Sequence, residues 1–99
     1  MLNMEKTVEN GKAVFALEGR LDTLSSPELE RELSAVLPGL RELVLDFGKL
    51  DYLSSAGLRV LLSAQKVMTR QGEMRIRRVN ETIREIFEVT GFSEILTIE

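Results

Sequence analysis

The chain reads as an α/β protein: one small domain, elements in the order ββαβαβαβ, and a mostly parallel mixed sheet with an antiparallel N-terminal strand. Three observations lead there. Apolar runs of strand length, Ala13–Leu17 and Glu42–Phe47, alternate with stretches whose apolar residues recur at helical spacing. Asn10-Gly11 stands between Leu2–Val8 and Ala13–Leu17, and both positions of this dipeptide tolerate the positive φ of a two-residue hairpin turn. Each later strand is reached through a helix, which makes parallel neighbours joined by right-handed crossovers.

Composition sets the outer limits. With 99 residues, 43% of them hydrophobic, residues 1–99 form one domain able to build its own core. Cysteine and histidine are both absent, which removes thiolate zinc sites, thiol chemistry and imidazole catalysis. Net charge is −3 with acids and bases intermixed, a pattern that does not point to nucleic acid. The N-terminus carries no apolar targeting segment and no run is long enough to span a bilayer, so the expected location is cytoplasmic, without membrane insertion. Neither a metal nor a cofactor is implied.

Leu2 to Val8 is the first strand and Ala13–Leu17 the second. Its five consecutive apolar residues predict a strand covered on both faces. Gly19-Arg20-Leu21-Asp22 leads to the first helix, where Pro27 favours Ser26 as N-cap and the pattern Ser25-Ser26-Pro27-Glu28 favours Ser25. Leu29, Leu33, Val36 and Leu37 form one helical face, and Pro38-Gly39 ends it. The strand Glu42–Phe47 follows, then a loop with Asp51, Ser54, Ser55 and Gly57, then a second helix from Ala56 to about Gln71. On that helix Arg59, Ser63, Lys66 and Arg70 fall in one stripe about 60° wide, and most of the rest is apolar. Two arrangements meet that pattern: burial between neighbours, or a face around Val60, Ala64 and Val67 kept for a partner. Met74 to Val79 alternates as a half-exposed strand, with Arg75 and Arg77 on one wet sheet face. Asn80 caps a third helix whose core stripe is Ile83, Ile86 and Phe87; Gly91 takes the left-handed position after it, and Phe92 folds back on Phe87. Glu94 to Ile98 is the last strand.

The serine loop lies at the C-terminal end of a buried strand, where open α/β sheets place their working sites. Catalysis by either serine would need a lysine or carboxylate base, and neither Gly-x-Ser-x-Gly nor Ser-x-x-Lys is present. Asp22, Asp46 and Asp51 near strand ends allow an acidic cluster able to hold Mg²⁺; their simpler reading is solvated or turn-capping carboxylates. Arg75, Arg77, Arg78 and Arg84 likewise read as a solvated face or as a contact for an acidic partner. Ser54 or Ser55 at a helix start is also what an N-cap looks like. A phosphate at that position would meet unpaired N–H groups and the positive helix end, adding roughly −1.5 to −2 charges without unfolding the domain. Against a partner carboxylate about 5 Å away at an effective dielectric of about 20, each unit pair costs around 3 kcal/mol, about two decades in dissociation constant.

Glu18-Gly19-Arg20-Leu21-Asp22, Leu43-Val44-Leu45-Asp46, Asp51-Tyr52-Leu53-Ser54-Ser55-Ala56-Gly57-Leu58, Gln71-Gly72-Glu73-Met74 and Thr90-Gly91-Phe92 together resemble the landmarks of the STAS domain, the anti-sigma factor antagonist family of bacteria. The resemblance runs over nearly the whole chain. It implies a non-enzymatic switch: the unphosphorylated protein binds an anti-sigma factor that is also a serine kinase, frees the sigma factor, and is released when its loop serine is phosphorylated. In the family pattern Asp-Ser-Ser/Thr-Gly, Ser55 matches the modified serine, Ser54 replaces the Asp and Ala56 the second hydroxyl residue, which makes Ser54 a competing acceptor. The surface so implied comprises Asp22, Asp51, Ser54, Ser55, Ala56, Gly57, Arg59 and Val60. Family members with altered loops also serve as constitutive accessory subunits of membrane transport or signalling complexes, which is the alternative. The oligomeric state is not implied either way.

Overall fold

A computed structural model describes residues 2–99. Strands β1 (Leu2–Glu9), β2 (Lys12–Leu21), β3 (Glu42–Leu53), β4 (Glu73–Arg77) and β5 (Thr97–Ile98) form one sheet in sequence order, with helices α1 (Ser26–Val36), α2 (Ser55–Gln71) and α3 (Glu81–Thr90) between them. β1 and β2 are antiparallel and every other pair is parallel, as expected. Asn10 and Gly11 both take positive φ, 51° and 79°, and close the hairpin with Glu9 opposite Lys12.

All three helices cover one sheet face. Leu29 and Leu33 of α1, Leu58, Leu61 and Met68 of α2, and Ile83 and Phe87 of α3 join Ala13, Phe15, Leu17, Leu43, Leu45, Phe47 and Ile76 in one buried cluster. Phe47 and Phe87 are its aromatic centre, with ring centroids 6.4 Å apart. Phe87 meets Phe47, and Phe92 packs at the edge of the core. One-sided coverage corrects the expectation for the second strand. Ala13, Phe15 and Leu17 are buried, while Val14 and Ala16 face the helix-free side and stay half-buried.

That outer face is closed by charge. Arg77 and Arg78 both reach Asp46, at 3.4 and 2.9 Å, and Arg75 pairs with Glu42 and Glu99. Asp46 is 8% exposed. Burial alone would disfavour its charge, but the Arg78 hydrogen bond, the Gly48 N–H and the charges of Arg78 and Arg77 outweigh it and hold the carboxyl below its ordinary range. Three of the four arginines singled out in the sequence are therefore paired within the domain, and Arg84 stands exposed on α3.

β3 departs most from expectation. It runs to Leu53, so the stretch expected to be loop is largely strand. Between Ala16–Asp46 and Leu21–Leu53, β2 takes five residue steps and β3 takes seven, through two irregularities in the ladder. The Asp46 carboxylate accepts the Gly48 N–H at 2.9 Å within the first of these. Asp46 consequently lies inside the strand, far from the role at a strand end that an acidic cluster required. Among the described residues no group of three acidic side chains is placed to hold a metal. Likewise, no helix is long and apolar enough to cross a membrane.

The later elements follow the sequence with small trims. Asn80 caps α3, its side-chain oxygen accepting the Ile83 N–H at 2.9 Å while its amide donates to Leu50 O at 3.0 Å. Gly91 is left-handed, φ 80°, and starts a single 3-10 turn, Phe92–Glu94, which shortens β5 to two residues.

Candidate partner-binding site

The ends of β2 and β3 lie side by side, with Leu21 opposite Leu53, and the Ser54 N–H donates to Leu21 O at 2.9 Å. The turn after β2 and the start of α2 therefore form one surface. Ser54 is the N-cap of α2, in extended conformation, its hydroxyl accepting the Gly57 N–H at 3.3 Å. Ser55 is the first helical residue and is exposed. The two serines thus differ in kind: one closes the helix, the other faces water. By helical geometry the Ser55 and Ala56 N–H groups have no acceptor within α2.

Gly57 does different work from the one expected. It is buried, and a Cβ there would fall 2.7 Å from Leu53 Cδ1 and 2.9 Å from Leu21 Cγ. It lets the first turn of α2 rest on the two strand ends. Val60, 7% exposed, packs in the core and lines a groove between α1 and α2 that Thr23, Pro27, Ala56 and Arg59 border. Ala64 is buried as well, and Val67 remains 38% exposed. The second helix is accordingly buried between neighbours. Asp51 at the end of β3 and Arg59 one turn after Ser55 are exposed, and Ala56 is half-buried.

Asp22 is held in a built turn. Its Oδ1 accepts the N–H groups of Leu24 and Ser25, each at 3.0 Å. Ser25 Oγ accepts the Asp22 N–H at 2.9 Å and donates to Arg20 O at 2.7 Å. Ser25 is the N-cap by position, but this bonding occupies its side chain and leaves no side-chain cap on α1. The Ser25 N–H above all, helped by the Ser25 hydroxyl and the Leu24 N–H against some burial, keeps the Asp22 carboxyl below its ordinary range.

Three residues of this surface were not singled out in the sequence. Arg20 stacks on Tyr52, its guanidinium carbon 4.1 Å from the ring centre, and its Nε lies 3.6 Å from Asp22 Oδ2. Tyr52 is 40% exposed and Leu24 90%. The pairing of Arg20 with Tyr52 depends on the β3 register, which residue patterns did not reveal. Leu24 carried a signal: a large apolar residue in a turn between Thr23 and Ser25, outside any helical or strand period.

The sequence model of the STAS domain matches residues 3–99. The candidate anti-sigma factor antagonist BtrV of Bordetella bronchiseptica is 41% identical over 99 residues, covering 98% of this chain and 84% of that protein. The anti-sigma-B factor antagonist of Staphylococcus aureus is 27% identical, covering 98% and 92%. Among solved structures, an anti-sigma factor antagonist from Mycobacterium paratuberculosis superposes with a TM-score of 0.89 at 20% identity, over 99% of this chain and 85% of that one. The Bacillus cell fate determinant SpoIIAA in its phosphorylated form gives 0.76 at 18% identity, over 100% and 91%. The last two likenesses concern the fold.

Proposed function

The chain belongs to the STAS domain family, and on that premise we propose that it is an anti-sigma factor antagonist switched off by phosphorylation of Ser55. It has no chemistry of its own. Its partner is a cytoplasmic anti-sigma factor with serine kinase activity, which it occupies through Asp22, Asp51, Ser55 and Arg59 around the first turn of α2. The 41% identity to BtrV over nearly the full chain supports the antagonist role.

The contrast between the two serines carries the switch. The Ser54 hydroxyl is engaged with the Gly57 N–H, whereas Ser55 is exposed at the first helical position. A kinase reaches Ser55 without uncapping the helix. The phosphate then sits at the positive end of α2, so the fold tolerates it while a partner acid facing it does not.

The test is calorimetric titration of this chain against a purified anti-sigma factor of the serine-kinase class. Ser55→Asp is expected to bind about 100-fold more weakly than wild type, on the single-charge cost of roughly 3 kcal/mol, with an unchanged melting curve. Incubation of kinase and ATP with wild type places one phosphate on Ser55. Undiminished binding by Ser55→Asp, or phosphate on Ser54 alone, would remove Ser55 from the switch.

A further inference from the structure

We propose that Leu24 is the apolar anchor of the partner interface, and that the partner offers a leucine-sized apolar cavity rimmed by a basic side chain that meets Asp22. This deepens the antagonist reading and rests on it. Leu24 is 90% exposed, more than any other large hydrophobic residue among those described. Scattered exposed apolar residues are ordinary on protein surfaces, so exposure by itself assigns nothing. Rigidity and position set this one apart.

The turn that carries Leu24 is fixed before any partner arrives. The Leu24 N–H is bonded to Asp22 Oδ1, the Ser25 N–H to the same oxygen, the Asp22 N–H to Ser25 Oγ, and Ser25 Oγ to Arg20 O. Ser26 N–H adds a bond to Asp22 O at 2.8 Å. A side chain held this way gives up little backbone freedom on docking, which is how pre-organised loops gain affinity. The neighbouring Thr23 borders the groove that Ala56 and Arg59 also border, which sets the Leu24 turn alongside the first turn of α2 that carries Ser55.

Charge identifies the cavity's rim. The Asp22 carboxylate is ionised, and among the described residues its Oδ2 has only the long contact to the exposed Arg20 at 3.6 Å. Glu28 in the first turn of α1 adds a second acid nearby in the chain. A cationic residue beside an apolar cavity satisfies both features at once.

Titration against the same purified anti-sigma kinase tests the anchor. Leu24→Ala is expected to weaken binding about 10- to 100-fold, the loss of a buried leucine side chain, with the melting curve unchanged. Leu24→Met, which keeps the volume, stays within about 3-fold. Val89→Ala is the control, since Val89 is 80% exposed on α3, and it leaves affinity unchanged. Wild-type affinity in Leu24→Ala, or an equal loss in Val89→Ala, overturns the anchor and leaves the Ser55 switch standing. Failure of wild type itself to bind overturns the antagonist reading and the anchor with it.

Discussion

The Ser54 N–H donates to the Leu21 carbonyl at 2.9 Å, and that one bond joins the strand that delivers Asp22 to the helix that presents Ser55. Side chains separated by more than thirty positions in the sequence thereby share one surface. The bond is backbone to backbone, so among substitutions at Ser54 only proline, which lacks an N–H, removes its donor. Substitutions around it act through the cap, the packing beneath it or the charge it brings together.

Ser54 and Ser55 are expected to separate cleanly in stability. Ser54→Ala removes the hydroxyl that accepts the Gly57 N–H, at a cost of about 1 kcal/mol. For a domain of this size that lowers the melting temperature by about 4–8 °C. Ser55→Ala removes an exposed hydroxyl and leaves the melt within about 0.5 kcal/mol of wild type. Differential scanning calorimetry decides it, and equal losses in the two variants would mean that the cap has been assigned to the wrong serine.

Gly57→Ala is expected to destabilise by about 1–3 kcal/mol, although alanine is the better helix former. The added methyl would sit 2.7 Å from Leu53 Cδ1, and both Leu53 and Leu21 are buried too deeply to yield freely. Urea unfolding gives the number. A gain in stability would show that the helix start rests on the strands more loosely than the packing indicates.

Asp46 links the outer face to pH. Its folded-state carboxyl titrates below its unfolded value, so its contribution is complete above pH about 4 and is lost as pH falls through the lowered folded value. Asp46→Asn is expected to cost about 1–3 kcal/mol at neutral pH, since the charge-assisted bond from Arg78 is gone. The gap between variant and wild type then closes on acidification. Denaturant titrations from pH 7 to about pH 2.5 would show this, and a gap that stays constant would leave Asp46 without an electrostatic role.

Much of the fold was legible because local chemistry and global arrangement agree. Asn10-Gly11 allowed one kind of turn, Asn80 and Gly91 bracketed α3, and the leucine spacing of α1 left one face to bury. β3 was illegible beyond Phe47 for a definable reason. Its inward residues are Leu43, Leu45 and Phe47, then Leu50 and Leu53, so the two irregularities stretch a period of two into a period of three. A spacing of three beside Gly48 and Asp51 looks like the approach to a helix. The second strand misled in the opposite sense: Val14 and Ala16 are apolar, yet no helix covers them. At the site, Ser55 and Asp22 could be named from sequence, whereas Gly57 and Val60 belong to the core and Leu24 and Arg20 went unnoticed. Exposure and close approach are properties of the assembled strand ends, and neither has a residue period.

The two extra residues that β3 takes beside β2 also make the site a matter of counting. Each residue of strand is worth about 3.3 Å of travel, so absorbing two of them holds Ser54 about 6–7 Å short of where a regular ladder would carry it. Loss of a single residue such as Gly48 would leave every functional side chain in place in the sequence and still turn Leu50 and Leu53 toward the other face. Ser55 would then start its helix away from Leu21. The hydroxyl's address is written in chain length, which substitutions leave intact and one deletion erases.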